Sequence, residues 1–259
     1  MRVLFIGDIV GRPGRRMAEK ALGPCREREN IDLVVANGEN AAGGSGLTPS
    51  ITKELLSSGI DVLTSGDHIW KKREIYDLLD HTDRVVRPLN YPGGAPGKGF
   101  TVLDIPGKGK LGVINLIGRV FMDAVDCPFI AVREAVREIK RTTPNILVDM
   151  HAEATSEKVA MGWYLDGQVS AVIGTHTHIQ TADEKILPDG TAYITDCGMT
   201  GPYDSVIGRK KEKVLERFVT QLPTRFEMAS GQPEMHGVIV DIEPDTGKAL
   251  KISRIQHAE

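Results

Sequence analysis

The sequence predicts an α/β layered fold with partly mixed sheets. Short apolar runs recur along the chain, each followed by polar residues and then by a helix-like segment. Strands alternating with helices are the pattern of layered α/β proteins. The runs are continuously apolar, as expected of strands covered on both faces. Hairpin-like pairs in the middle and at the end add antiparallel strands, which argues against a pure parallel barrel.

Val3 to Ile6 is the first run and leads to Gly7-Asp8. Gly11-Arg12-Pro13-Gly14 follows, with Pro13 suited to a first helical turn. The helix it opens is expected to run towards Glu29, with a break or kink near Gly23-Pro24. Leu33 to Ala36 is the second run and leads to Asn37-Gly38-Glu39-Asn40. Thr48-Pro49 reads as the N-cap and first residue of a helix that Gly59 ends. Val62 to Thr64 leads to Ser65-Gly66-Asp67-His68, and 71–79 reads as helix. Residues 88–99 are rich in proline and glycine and read as loop. Phe100 to Ile105 and Lys110 to Leu116 form a predicted hairpin. Pro128 to Arg141 is a predicted amphipathic helix with Ile130, Ala131, Ala135 and Ile139 on one side. Ile146 to Val148 leads to Asp149-Met150-His151, and Ser156 to Tyr164 is a further helix. Ser170 to Ile173 leads to Gly174-Thr175-His176-Thr177-His178. Ala192 to Ile194 leads to Thr195-Asp196-Cys197-Gly198, and Lys210 to Leu222 reads as helix. Gly237 to Ile242 and Ala249 to Ile255 form a closing hairpin.

The 259 residues are 41% hydrophobic and 26% charged, ordinary for a soluble globular protein and compatible with one domain over 1–259. A net charge of -3 argues against a broad basic surface for duplex DNA. It leaves room for a small anionic substrate. Cys25, Cys127 and Cys197 are far apart and form no CxxC or disulfide framework, so a reducing cytoplasm is the default. The apolar stretch after Arg2 is too short for a signal sequence, and no run approaches the length of a membrane span. A homo-oligomer is left open.

Metal-type residues follow successive buried strands: Asp8, Glu39-Asn40, Asp67-His68, His151, and His176 with His178. Each alone also fits a bland role, as a cap, a loop residue or a satisfied core histidine. Together they mark the carboxyl ends of strands, where α/β sheets place their ligands. In extended backbone, residues two apart point the same way. His176 and His178 are therefore expected to reach one point past the strand end. Carboxylate and imidazole ligands without thiolate suit Fe, Mn or Zn. These are more candidate ligands than one ion takes. Two ions about 3.5–4 Å apart, bridged by a carboxylate, would use them all. His81, His236 and His257 read as surface or loop residues.

The order Gly-Asp, Gly-Glu-Asn, Gly-Asp-His, His, Gly-Thr-His-Thr-His resembles the calcineurin-like metallophosphoesterase superfamily. Five stretches are similar to its YmdB-like bacterial branch: 5–11, 37–42, 151–158, 174–178 and 195–203. The resemblance covers essentially the whole chain. It implies a four-layer α-β-β-α sandwich, a two-metal centre and hydrolysis of small phosphodiesters by a metal-activated water. Family substrates are 2′,3′-cyclic nucleotides and 3′,5′-cyclic AMP. By position, Asp8, Asn40 and His178 would hold one metal. Asp67, His151 and His176 would hold the second, Glu39 would bridge, and His68 would be the general acid. Iron is the first choice of metal, with Mn or Zn as substitutes. Where the superfamily has Asp-x-His after the first strand, this chain has Asp8-Ile9-Val10, and Asn40 stands in for the missing imidazole. Arg119, Glu153, Thr200 and Tyr203 either face a nucleotide or pack their own loops. Arg12, Lys71, Lys72 and Arg73 add charge near the ligand loops, and Cys197 reads as a small buried residue. The competing readings are a barrel-type amidohydrolase, which also uses H-x-H, and a metal-holding regulatory or scaffold protein with vestigial hydrolysis.

Asp67 stands where the superfamily usually has asparagine. Asp8, Glu39 and Asp67 set three negative charges against four from two divalent ions. An asparagine at 67 would leave the centre one unit more positive. Asp67 is therefore expected to tighten the second metal and weaken its Lewis acidity, or to favour a mixed Fe(III)/Fe(II) pair. Asp67→Asn should shift the acid limb of the pH–rate profile. An unmoved limb with unchanged metal content would remove the idea.

Overall fold

Strand β1 (Arg2–Ile6) buries both of its faces. Val3 and Phe5 enter one apolar layer, whereas Leu4 and Ile6 enter another, as the two-residue period of a strand dictates. This computed structural model describes residues 1–258. After β1 come β2 (Asp8–Ile9), α1 (Gly11–Glu29), β3 (Leu33–Asn37), α2 (Pro49–Ser57) and β4 (Val62–Thr64). A 3₁₀ turn over Asp67–Lys71 precedes α3 (Ile75–His81). Next are β5 (Phe100–Ile105), β6 (Gly109–Ile117), α4 (Pro128–Ile139), β7 (Ile146–His151), α5 (Thr155–Tyr164) and β8 (Ala171–Thr175). The chain continues through β9 (Lys185–Ile186), β10 (Ala192–Ile194), β11 (Met199–Pro202), α6 (Lys211–Thr220), β12 (Pro233–Ile242) and β13 (Ala249–Ala258).

The strands form two mixed sheets. The first runs β2-β11-β12-β1-β3-β4, with β13 also paired to β12. Its β1, β3 and β4 are parallel, whereas β12 is antiparallel to β1, β11 and β13. The second runs β5-β6-β7-β8-β10-β9, parallel from β6 to β10 with antiparallel edges β5 and β9. Three apolar layers separate four structural layers. Met17, Leu22, Leu55, Ile75 and Leu79 of α1–α3 pack on Leu4, Ile6 and Val34 of the first sheet. Phe5, Val35, Val113, Leu147 and Ile173 meet between the sheets. Val132, Ala135, Val136 and Ile139 of α4 and Met161 of α5 cover Ile114, Val148 and Val172 on the far side of the second. The result is the α-β-β-α sandwich.

Thr48 caps α2 as expected, its hydroxyl accepting from the Ile51 N–H at 3.3 Å. Several local expectations need correcting. Helix α1 runs through Pro24 without a break. Pro24 lies on the exposed face, where its missing N–H leaves no buried carbonyl unpaired. Helix α3 begins only at Ile75, because Lys72 is extended. In α4 the buried face is Val132, Ala135, Val136 and Ile139, whereas Ile130 is 65% exposed. His236 is not a surface residue: it is buried on β12, stacked at 4.1 Å on Tyr203 and bonded to Glu234 at 2.9 Å.

One glycine sets the path of the chain into the site. A side chain on Gly7 would run into the Gly198 carbonyl. Its absence lets the chain leave β1 and pair as β2 with β11, where the Asp8 N–H donates to Gly198 O at 3.2 Å.

Candidate metal centre

The parallel strands of both sheets deliver their carboxyl ends to one seam. From the first sheet come Asp8 at the start of β2, Glu39 and Asn40 after β3, and Asp67 and His68 after β4. From the second come His151, the last residue of β7, and His176 and His178 after β8. Gly66 leaves the space in which they meet, since a Cβ there would strike the Glu39 carboxylate and the His151 ring.

The two C-terminal histidines are not presented by extended backbone. His176 has φ 98° and His178 φ 66°, a left-handed turn that costs energy for non-glycine residues and needs support. Asp196 supplies it. Its carboxylate accepts from the Thr177 N–H at 3.0 Å and the Thr177 hydroxyl at 2.7 Å. Lys158 Nζ donates to Asp196 at 3.0 Å and to the Thr175 carbonyl at 3.1 Å. Both partners of this ion pair are buried, so removing one would strand a charge in the interior. The turn sends the two imidazoles to different places rather than to one point.

His176 joins Glu39, Asp67 and His151, whose ligand atoms all lie within 4.8 Å of one another. His151 Nε2 is 3.2 Å from Glu39 Oε2, 3.3 Å from Asp67 Oδ1 and 3.0 Å from His176 Nδ1. His178 joins Asp8 and Asn40 instead. Its Nε2 is 3.7 Å from Asp8 Oδ1 and 3.2 Å from the Asn40 amide nitrogen. That amide lies 2.8 Å from Glu39 Oε1, so Glu39 stands between the two groups.

Two observations fit these groups to cations. Asp67 Oδ1 is buried inside the cluster without a hydrogen-bond partner. A native protein rarely leaves such an atom unsatisfied. Each imidazole is also held by its outer nitrogen. His151 Nδ1 bonds Thr175 Oγ1 at 2.8 Å, and that hydroxyl donates to Asp149 Oδ1 at 2.7 Å. His176 Nε2 lies 3.2 Å from Glu153 Oε2, and His178 Nδ1 lies 3.1 Å from the Ile207 carbonyl. An acceptor at the outer nitrogen places the hydrogen there and turns the lone pair of the other nitrogen inward. Metal-binding histidines are oriented in this way.

Charge within the cluster is strongly redistributed. Burial pushes the Asp8 carboxyl up, although His178 and His151 oppose it. Burial would raise Glu39 too, but His151 and His68 hold it well below the usual carboxylate range. His151 is driven well above the usual imidazole range: burial opposes this, and the Glu39 and Asp67 carboxylates outweigh it. Burial and the neighbouring His151 charge hold His176 down to about 4. Burial raises Asp149 to about 7. The carboxylates thus favour positive charge at the centre of the cluster, a role a metal cation would fill.

His68 stands at the edge of the cluster and is partly exposed. Its Nδ1 lies 2.8 Å from Asn40 Oδ1, and its Nε2 is 3.5 Å from Asp67 Oδ2. Burial disfavours its charged form, but Glu39 and Asp67 outweigh that and raise its pKa.

A family model described as YmdB-like protein matches residues 4–255. The chain belongs to the YmdB-like family. It is 52% identical over 255 residues to the 2′,3′-cyclic-nucleotide 2′-phosphodiesterase of Bacillus subtilis strain 168, covering 98% of this chain and 96% of that one. A hypothetical protein from Thermus thermophilus superposes with a TM-score of 0.94 at 46% identity, covering 100% of both chains. A novel phosphatase from Mycoplasma pneumoniae gives a TM-score of 0.94 at 33% identity, covering 100% of this chain and 94% of that one.

In this YmdB-like chain every residue singled out as a ligand or acid meets at one seam. The other candidates divide. Glu153 reaches His176. Thr200 is buried in β11, and the Tyr203 hydroxyl bonds the Met199 backbone, so both pack their own segment. Arg119 is exposed and offers its backbone N–H to Glu157 at 3.1 Å. Arg12, Lys71, Lys72 and Arg73 lie outside the lining of the cavity over the cluster. Cys197 is buried between the sheets, as expected. Sequence reading missed Asn37, Asp149, Lys158, Thr175 and Asp196. The signal for Asp149 and Thr175 was their place inside buried strands, where a polar residue needs a partner.

Glu153 is exposed, so Glu153→Ala should leave the fold intact while freeing the His176 ring. Affinity of the stripped protein for Mn²⁺, read by calorimetry, should fall about tenfold or more. An unchanged affinity would mean that Glu153 does not orient His176.

Proposed function

We propose that this chain is a metal-dependent phosphodiesterase that opens 2′,3′-cyclic nucleotides, with 3′,5′-cyclic AMP as a further substrate. One observation carries the reading. Two donor groups share Glu39, and a protonatable imidazole that neither group uses stands beside them. Asp8, Asn40 and His178 would hold one ion, and Asp67, His151 and His176 the other. Iron suits this mixed oxygen and nitrogen set, with Mn or Zn able to replace it. The enzyme would act as a single-domain cytoplasmic protein on a small nucleotide, with no duplex DNA or membrane partner. No helix among the described residues is long and apolar enough to cross a membrane.

Two divalent ions would lower the pKa of a water and offset the charge of the phosphate oxygens. The chain's own residues do the rest. His68 Nδ1 lies 2.8 Å from Asn40 Oδ1 and Nε2 3.5 Å from Asp67 Oδ2, so the ring stands at the edge of the cluster, where it would pass a proton to a leaving oxygen. A ribose alkoxide is a poor leaving group, and a proton from His68 lets the ring ester open to a monoester. The neighbouring Glu39 and Asp67 carboxylates raise the pKa of His68 against its burial and so favour the protonated ring. Glu153, half-exposed at the rim, holds His176 and repels a second anion.

A barrel-type amidohydrolase does not suit a two-sheet sandwich whose histidine pair follows its eighth strand. A scaffold with vestigial hydrolysis would have no use for an acid poised over the cluster. Hydrolysis of 2′,3′-cyclic AMP should stop with a chelator and return with metal. His68→Ala should lower kcat about 10²–10⁴-fold with bound metal retained. Chelator-resistant turnover, or full turnover without His68, would defeat the assignment.

A further inference from the structure

The cavity over the cluster has two unlike walls within about 370 Å³. One carries His68, His176, His178 and Glu153. The other carries Val206, Ile207, Phe218 and Phe226, all from the segment around α6. Phosphate chemistry needs only the polar wall. The apolar wall nevertheless leaves Phe218 70% and Ile207 47% exposed at the mouth of the site, apolar surface that water solvates poorly. Arg209, the cation in this lining, is committed to the Gly44 carbonyl and lies 3.3 Å from Met228 Sδ. The wall is therefore built for an uncharged, flat, apolar group rather than a second anion.

The wall is also fixed to the metal ligands. Ile207 has φ 46°, a strained conformation for a β-branched residue. Two backbone bonds of 2.9 Å between Val206 and Arg209 close this turn. The Ile207 carbonyl accepts from His178 Nδ1 at 3.1 Å, so the residue that orients one ligand also presents its side chain to the cavity.

We propose that the segment 206–226 is a nucleobase subsite: the base lies against Phe218 and Phe226 while the phosphate sits at the Glu39–His68 wall. This rests on the phosphodiesterase reading. The volume suits one small ligand. Few polar groups face the base, so recognition is by stacking. Purines should be preferred to pyrimidines, with little discrimination between adenine and guanine.

The test compares 2′,3′-cyclic AMP with methyl β-D-ribofuranoside 2′,3′-cyclic phosphate, which carries the same ester without a base. The wild type should favour the nucleotide at least about tenfold in kcat/KM. In the Phe218→Ala/Phe226→Ala variant that preference should collapse, chiefly through KM for the nucleotide. Phe218 is largely exposed, and thermal melting checks the fold of the variant. Equal turnover of the two esters by the wild type would leave the phosphodiesterase reading standing and remove the subsite. A preference that survives in the variant would also remove it. Turnover of neither ester would defeat both.

Discussion

Three carboxylates and three imidazoles gathered in the interior need positive charge. Asp8 and Glu39 are essentially without solvent contact, and Asp67 turns one oxygen inward, where no hydrogen bond satisfies it and the nearest imidazole nitrogen is His151 Nε2 at 3.3 Å. Buried like charges at such spacing strongly favour whatever neutralises them. Within the chain itself, the Glu39 and Asp67 carboxylates favour the charged form of His151 against its burial. Metal cations would offset the carboxylates and accept the imidazole lone pairs. The outer nitrogens, tied to Thr175, Glu153 and Ile207, keep the inner nitrogens of the three rings aimed into the cluster.

The fold exists around this meeting point in a concrete sense. The parallel strands of each sheet end at the same seam, so residues more than a hundred positions apart become neighbours: Asn37 donates to Asp149 at 3.0 Å, across the two sheets. Strand ends are stiff, and ligands mounted there lose little entropy on binding. Where the path must turn sharply, glycine supplies room at 7 and 66. Where it turns without glycine, at His176 and His178, the buried Lys158–Asp196 pair meets the cost.

Much of this was legible in the chain. The layered α/β fold follows from short continuous apolar runs, because odd and even residues of β1, β3 and β8 feed different layers; the four-layer order came from the family resemblance. The ligands were visible because each follows such a run. What the sequence hid is of a different kind. Extended geometry for His-x-His was the natural reading, yet Asp196, just past the end of the neighbouring strand β10, holds that turn bent. Glu153 read equally as a nucleotide contact or as loop packing, but its partner at 176 lies beyond helix α5, and only the tertiary fold brings them together. The apolar side of the cavity was unreadable because Phe218 and Phe226 look like ordinary amphipathic positions until the seam is assembled.

Everything proposed for the site turns on two groups of donors, divided by Glu39, each holding one cation. The most direct test counts metal per chain by plasma mass spectrometry after anaerobic purification, for the wild type and for His178→Ala. Two equivalents are expected in the wild type and about one in the variant, since His178 faces only the Asp8–Asn40 side. A wild type that carries no metal, or a variant that keeps both ions, would contradict the two-cation centre.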